Sequence, residues 1–183
     1  RHQHMIHFSV VAVGMLAVFL ITWAWSVKIN NYSIVDAAWA FAIGTASVVW
    51  LGLGDGDPMK RLIAAVLIAC WSLRLGFHLT TRIARDHPRE DTRYVKLREQ
   101  WKGREKAMFL GFFQIQAISV IVLALPFFLI AKDRSSFGIW EIVGTTITLL
   151  AIVGEGVADR QKENFRKTHG PKEVCDSGLW RYS

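Results

Sequence analysis

The chain has very little cysteine and none of the short motifs that mark common nucleotide and catalytic sites. Its two cysteines, Cys70 and Cys175, lie far apart, and neither has a Cys or His neighbour at metal-ligand spacing. We therefore expect two free thiols and no metal site. Gly-x-Gly-x-x-Gly, Gly-x-x-x-x-Gly-Lys-Ser/Thr, His-Glu-x-x-His and Gly-x-Ser-x-Gly are absent as well. A nucleotide, if one binds, is bound without a Rossmann domain or a P-loop.

Apolar residues dominate what is present. They make up 52% of the 183 residues, the mean hydropathy is +0.27, and there are eight tryptophans and eleven phenylalanines. This composition excludes an ordinary soluble domain and is typical of a membrane protein. The formal charge of +7 does not indicate nucleic-acid binding, because the basic residues lie between apolar runs and form no basic domain.

Five apolar runs are long enough to cross a bilayer, which needs about 20 residues. The predicted fold is therefore all-α, a polytopic bundle of membrane helices. Pro126 lies inside the fourth run and is expected to kink that helix. The runs are Ile6–Val27, Ser33–Leu53, Leu62–Thr81, Ala107–Ala131 and Phe137–Ala158.

Residues 5–183 are expected to form one integral-membrane domain, incomplete at its carboxyl end. Residues 1–4 precede Met5 and are interpreted as an expression-vector remnant. The first apolar run is too long for a signal-peptide core and lacks a small-residue cleavage site, so it is expected to remain in the mature protein.

Lysine and arginine counts predict the orientation. The Arg82–Lys106 loop alone holds nine, and its side of the membrane totals sixteen against five on the other side, where Arg1 is counted. The positive-inside rule then places the amino terminus outside and the loop and carboxyl-terminal tail in the cytosol. A bacterial cytoplasmic membrane is the expected location.

Polar residues inside the runs are functional candidates, since charge within a bilayer is unfavourable. They are placed near the cytosolic ends of their spans, which predicts a pocket open to the cytosol and lined by Trp39, Arg74 and Gln114. Two structural alternatives stay open: Asp36 could simply cap its helix, and Arg74 could form an ion pair with an acid. The polar residues concerned are Asp36, Arg74, Gln114, Gln116 and Glu155.

The fifth run continues into a charged helix. Glu155, Asp159 and Arg166 lie within about 40° of one another around it, at 100° per residue. Such a stripe suits a charged cofactor. The basic loop also suits phosphate binding, although attraction to anionic lipid explains its charge equally well.

Five motifs follow one another along the chain: Val35–Trp39, Trp71–Gly76, Asp91–Tyr94, the Glu155/Asp159/Arg166 stripe and Gly178–Ser183. Together they resemble the steroid 5-alpha-reductase family, most closely its uncharacterised bacterial branch. The resemblance covers nearly the whole chain from Met5 and implies two more membrane helices beyond Ser183, seven in all.

Members of that family are membrane reductases that use NADPH to reduce the carbon–carbon double bond of a lipid enone. The resemblance implies that Arg85, Asp159 and Arg166 bind the cofactor, and that Glu155 stands where the family often has asparagine. It implies that Asp36 is the catalytic carboxylate. Where the family carries a catalytic tyrosine, this chain has Trp71, whose indole can donate a hydrogen bond but no proton.

Two other functions fit the same residues. Isoprenylcysteine methyltransferases share a related tail motif, which makes S-adenosylmethionine an alternative cofactor. A non-enzymatic scaffold or lipid-binding protein would use its polar residues only to hold helices together. The expected partners are the bilayer and a hydrophobic small molecule. The sequence does not predict the oligomeric state.

Overall fold

The computed structural model describes residues 2–170 and 173–182, and these residues form an all-α fold. Arg1, which was counted for the orientation, and Ser183, which ends the tail motif, lie outside this range. The helices are α1 (His2–Ile29), α2 (Ile34–Leu53), α3 (Pro58–Asp86), α4 (Thr92–Gln100), α5 (Glu105–Ile130) and α6 (Ile139–Thr168), followed by a 3-10 turn at Gly178–Tyr182.

Five of these helices, α1, α2, α3, α5 and α6, are long and apolar enough to cross a membrane. The predicted spans and the all-α class are therefore confirmed. Several helices continue beyond their apolar runs. Helix α3 reaches Asp86, and α6 reaches Thr168, so the predicted charged helix is the uninterrupted end of the fifth span. Pro126 lies inside the continuous helix α5.

Helix α4 was not predicted. It forms within the basic loop, where the Asp91 carboxylate caps it by accepting the Arg93 backbone N–H at 2.9 Å. Tyr94 and Trp101 are seven residues apart and so share one helix face, which packs on Phe109 of α5 with ring centroids 6.3 and 5.0 Å away. Aromatic packing thus fixes α4 to the first turns of α5.

The chain divides after Phe137 into two compact units. In the first, α2 packs closely on α3 because small residues face each other. A Cβ on Gly44 would overlap the Ser72 hydroxyl, and Ser72 Oγ donates a hydrogen bond to the Ala40 carbonyl at 2.8 Å. Large side chains, including Phe19 and Trp50, are fully buried in the same unit. Small residues therefore bring the helices together and aromatic residues fill the core.

The second unit comprises α6 and the 3-10 turn. The Trp180 indole donates to the Ala158 carbonyl at 2.8 Å, and the Leu179 N–H donates to Gln161 Oε1 at 2.8 Å. The ammonium of Lys162 lies 4.4 Å from the centre of the Trp180 ring. The Gly178–Tyr182 motif thus folds back on the polar end of α6.

Candidate active site

The α1–α2 turn and the α3–α4 loop are bonded to each other at one end of the first unit. Ser33 is the N-cap of α2 and Asp91 is the N-cap of α4. The Ser33 hydroxyl does not cap its own helix but accepts the Asp91 backbone N–H at 2.8 Å. Beside this bond, the Tyr32 N–H donates to Glu90 Oε2 at 2.6 Å. The amino-terminal ends of two helices are therefore joined directly.

Asp36 and Tyr94 meet next to this junction. Each is the third residue of its helix, α2 and α4 respectively. The Tyr94 hydroxyl donates a hydrogen bond to Asp36 Oδ1 at 2.6 Å, and Tyr94 is only 4% exposed. A phenol and a carboxylate thus share a short hydrogen bond at the end of a membrane helix.

Two arginines complete the cluster. An Arg93 Nη2 donates to Asp36 Oδ2 at 2.9 Å, and Arg82 Nη2 lies 3.8 Å from the same oxygen. Both arginines also contact the carboxylate of Asp91, at 3.1 and 3.7 Å. The expectation that Asp36 could serve only as a helix cap is not what the geometry shows, because both of its oxygens accept from side chains.

The charges around Tyr94 keep its phenol protonated. Burial raises the Tyr94 pKa, and the negative charge and hydrogen bond of Asp36 raise it further. Burial also raises the pKa of Asp91, but hydrogen bonds and charge from Arg93 and the charge of Arg82 more than offset this, so the net shift is downward. The cluster therefore combines ionised groups with one neutral hydrogen donor, the Tyr94 hydroxyl.

Trp39 and Trp71 lie close together. Their rings meet edge to face with centroids 6.4 Å apart, and the Trp39 indole donates to Ser119 Oγ of α5 at 3.0 Å. Trp39 is three residues beyond Asp36 and therefore projects from a similar face of α2. Both tryptophans are partly buried, and together they form an apolar wall between α2 and α3.

Arg74 and Gln114, the other predicted pocket residues, lie elsewhere on their helices. Gln114 donates to the Leu16 carbonyl of α1 at 3.4 Å, so its amide joins two helices. Arg74 is partly buried on α3, and Arg82, eight residues further along that helix, contacts Asp36. The roles assigned to Arg74 and Gln114 stay predictions.

The predicted cofactor residues belong to both units. Arg85 is at the end of α3, with Nε 3.7 Å from the Asp86 carboxylate. Glu155, Asp159 and Arg166 all lie on the continuous helix α6, as the spacing predicts. Their contacts with a cofactor stay predictions too.

Arg166 lines a pocket of about 630 Å³ in the second unit. Three cationic side chains, Lys162, Arg166 and Arg181, face this pocket together with the acids Glu173 and Asp176. Guanidinium and ammonium groups are the usual ligands of phosphate, carboxylates accept from sugar hydroxyls, and pockets of this size bind small molecules. The donor set therefore fits a phosphate-bearing nucleotide such as NADPH. Phe165 and Trp180 also line the pocket.

Tyr94 is the residue that sequence reasoning missed as part of the site. It was noted only as one member of the Asp91–Tyr94 motif within a basic loop. The available signal was Asp91, a helix-capping residue, followed three residues later by an aromatic residue. That signal predicts a helix start with a buried position but gives no indication that Asp36, 58 residues earlier, is the partner.

The fold and this cluster define a multi-pass helical membrane protein in which a buried phenol is hydrogen-bonded to a half-buried carboxylate. Residues 22–183 match the model of a family described as "Protein of unknown function (DUF1295)", and the chain belongs to that family. It is also similar to an uncharacterized protein, C594.04c, of Schizosaccharomyces pombe, with 28% identity over 163 residues. The match covers 84% of this chain and 47% of the yeast protein, so the chain spans about half the length of this relative. No solved structure matches the chain.

Proposed function

We propose that the protein is a membrane reductase that uses NADPH to reduce the carbon–carbon double bond of a hydrophobic enone, such as a steroid- or isoprenoid-like lipid. The observation that carries this proposal is the hydrogen bond of 2.6 Å between the Tyr94 hydroxyl and Asp36. Tyr94 provides the phenol that Trp71 lacks, and it lies on α4, whereas Trp71 lies on α3. The motifs that resemble the steroid 5-alpha-reductase family support the same chemistry.

The roles of the residues follow from their hydrogen-bonding capacity. When bound, NADPH would supply the hydride that the β carbon of the enone accepts. Tyr94 gives its hydroxyl proton to the carbonyl oxygen as electrons move from the double bond onto that oxygen, forming an enol. Asp36, once protonated from water, returns a proton to Tyr94. The enol becomes the ketone when a proton adds to the α carbon and the oxygen-bound proton leaves, so one hydride and one proton are consumed overall.

The remaining residues bind and orient. Trp39, one helical turn beyond Asp36, and Trp71 form an apolar wall that suits a flat apolar substrate entering from the bilayer. Arg93 and Arg82 keep Asp36 in place at 2.9 and 3.8 Å. Arg166, with Lys162 and Arg181, would hold the phosphates of NADPH in the second unit. Arg85, Glu155 and Asp159 are assigned to the cofactor only by the resemblance.

The orientation proposed for this enzyme puts the Asp36–Tyr94 pair on the cytosolic side of a bacterial cytoplasmic membrane, with the amino terminus outside. The α1–α2 turn and the basic loop lie at one end of the bundle, which agrees with the charge asymmetry. A thiol reagent applied from outside intact cells should not label a cysteine placed at Lys96, an exposed position on α4. Labelling from outside would refute this orientation.

Thermal stability in detergent, with and without NADPH, tests the cofactor. A ligand that binds the folded state at 100 times its dissociation constant stabilises it by about 2.7 kcal/mol. NADPH should raise the melting temperature of this chain, or of a form extended past Ser183 to the length of its relatives. The rise should be lost in Arg166→Ala. S-adenosylmethionine should have no effect.

The alternatives predict other outcomes. Stabilisation by S-adenosylmethionine and not by NADPH would favour a methyltransferase. If neither compound stabilises the extended form, the reductase proposal is wrong and a scaffold or lipid-binding protein becomes the better explanation. Lys167→Ala is a matched control for Arg166→Ala, because Lys167 is the next residue of α6 but does not line the pocket.

A further inference from the structure

We propose that Glu90 is the positioning residue of the candidate site: it fastens the starts of α2 and α4 together and so holds the Tyr94 hydroxyl on Asp36. This inference deepens the proposed function and rests on it only for the catalytic consequence. The hydrogen-bond geometry it describes can be tested without any substrate or cofactor.

The Glu90 carboxylate is buried and fully engaged. Its side chain is 6% exposed, and Oε2 accepts the Tyr32 backbone N–H at 2.6 Å. Arg98 donates to both of its oxygens, through Nε at 3.2 Å and Nη2 at 2.9 Å. Charge-assisted, bidentate hydrogen bonds between an arginine and a carboxylate are directional as well as strong. Glu90 therefore links the α1–α2 turn to α4 through both backbone and side-chain bonds.

Its position along the chain fixes the register of the catalytic pair. Glu90 and Tyr32 bond directly beside the bond between Asp91 and Ser33. Two adjacent bonds of this kind resist sliding and rotation of one segment past the other. Asp36 lies three residues after Ser33, and Tyr94 lies three residues after Asp91. The two functional side chains are thus one helical turn from the same junction, and a shift there would separate them.

Arg98 also connects Glu90 to the aromatic rings that pack next to Tyr94, those of Tyr32 and Phe109. It donates to Asn30 Oδ1 at 3.1 Å, and its guanidinium lies 4.8 Å from the centre of the Tyr32 ring. Tyr32 in turn stacks on Phe109 at 3.7 Å, the ring against which Tyr94 packs. Loss of the Glu90 charge would leave Arg98 without its carboxylate partner and loosen this stack.

Glu90 acts through other residues. Glu90 contacts Tyr32 and Arg98, whereas the groups around the Tyr94 hydroxyl are Asp36 from α2 and Arg93 and Asp91 from its own helix start. Arg82 of α3 contacts both of these acids. Phe109 and Phe112 of α5 present only apolar rings to it. Glu90 makes no direct contact with the Tyr94 hydroxyl in the described residues, so we expect it to act on Tyr94 mainly through geometry. Ser33→Ala, which changes no charge, separates this from the effect of the Glu90 charge.

The test follows the ionisation of Tyr94 by ¹⁹F NMR in protein carrying 3-fluorotyrosine. The chain has three tyrosines, so Tyr→Phe variants assign the resonances. Fluorine lowers the pKa of a phenol and brings its titration into a workable range. In Glu90→Gln, the Tyr94 hydroxyl should leave Asp36 and become solvated, so its titration should move to lower pH by roughly one unit or more. Ser33→Ala, which removes one acceptor and changes no charge, should move it in the same direction.

A matched control separates positioning from general loosening. Asp133→Asn removes a carboxylate at the opposite end of the same unit, where it binds Lys60. It should lower the melting temperature and leave the Tyr94 titration where it is. The proposal is overturned if Glu90→Gln and Ser33→Ala both leave the titration unchanged, or if Asp133→Asn shifts it equally. If Glu90→Gln does not fold, Ser33→Ala alone decides. Failure of NADPH binding would sink the reductase proposal without affecting this result.

Discussion

The two ends of the first unit use the same kinds of residue for different purposes. The arginine end comprises residues 30–36 and 82–106, and the aspartate end comprises residues 54–61 and 131–135. At the aspartate end, backbone bonds join the two loops: the Gly56 N–H donates to the Ala131 carbonyl at 2.9 Å, and the Asp57 N–H donates to the Asp133 carbonyl at 2.8 Å. At the arginine end the connecting bonds run mainly through side chains, those of Ser33 and Glu90.

The ion pairs differ in the same way. Lys60 is 6% exposed and donates to Asp133 Oδ2 and to Ser135 Oγ, both at 2.8 Å. That hydrogen bond and those from Ser135 lower the Asp133 pKa to about 2, so this carboxylate is fully ionised near neutral pH. Asp36 instead accepts from a neutral phenol whose pKa is raised. One end therefore fastens loops, whereas the other keeps a proton donor beside a carboxylate.

The largest expected difference between the ends is in turnover. Tyr94→Phe and Asp36→Asn should each reduce NADPH-dependent turnover of a lipid enone by about 10²- to 10⁴-fold, the usual contribution of a general acid. NADPH affinity, measured by the thermal shift, should be unchanged. Asp133→Asn should leave turnover as it is, because that carboxylate lies at the other end of the helices. Full turnover in Tyr94→Phe would remove the phenol from the mechanism.

The five membrane helices could be predicted from the sequence, but the short helix α4 and its contacts could not. A run of about 20 apolar residues is itself a strong signal for a membrane span, because nothing else accommodates it. Helix α4 has nine residues and a polar sequence. It is helical because Tyr94 and Trp101 pack on α5, and such tertiary packing leaves no periodic pattern in so short a segment.

Of the two residues that share the short hydrogen bond, only Asp36 could be predicted from the sequence as a site residue. Asp36 was recognised because a carboxylate inside an apolar run is unusual. Tyr94 lies in the basic segment 82–106, where a tyrosine among arginines is not an unusual residue. It is also 58 positions along the chain from Asp36. Arg74, inside a span, was one possible ion-pair partner for Asp36 or Glu155, whereas the two arginines that contact Asp36 here, Arg82 and Arg93, lie outside the apolar runs. Hydropathy therefore identifies a charged residue inside an apolar run, such as Asp36, but gives no information about the residues that contact it.

Glycine substitutions should separate the two ends by stability. A Cβ on Gly56 would lie 2.6 Å from the Asp133 carbonyl oxygen and 2.9 Å from that of Ala131. Gly56→Ala must therefore break the two bonds between the loops, and at about 1 kcal/mol each this corresponds to a melting temperature lower by about 4–8 °C. Gly103, in the basic loop, has φ of +86° and open space around its Cβ position. Gly103→Ala should cost only about 1 kcal/mol, or about 2–4 °C.

Melting temperatures in detergent check this order, and the Tyr94 resonance shows where the damage is. Gly56→Ala should leave that resonance unchanged, since no bond at the arginine end involves the 54–61 loop in the part of the chain the structure describes. If Gly103→Ala lowered the melting temperature more than Gly56→Ala, the backbone bonds at the aspartate end would contribute less to stability than we expect.

The smallest expected effect is the acid sensitivity of the aspartate end. The folded-state pKa of Asp133 is about 2 and its ordinary value is 3.8, so its ionised form favours the folded state. That contribution is complete above about pH 4 and is lost as the pH falls through about 2. It should be small, because the side chain of Asp133 is 44% exposed and solvent screens the pair. The Asp91 pKa is also lowered, so the arginine end loses stability in acid as well.

Comparison with Asp133→Asn isolates the aspartate end. The variant should melt at a lower temperature than the unsubstituted protein at pH 6, and the gap should narrow steadily as the pH is lowered from 4 towards 2. The Asp91 contribution cancels in that difference, since both proteins retain it. A gap that stayed constant in acid would mean that the Asp133 carboxylate stabilises the loops through the shape of its hydrogen bonds to Ser135, not through its charge on Lys60.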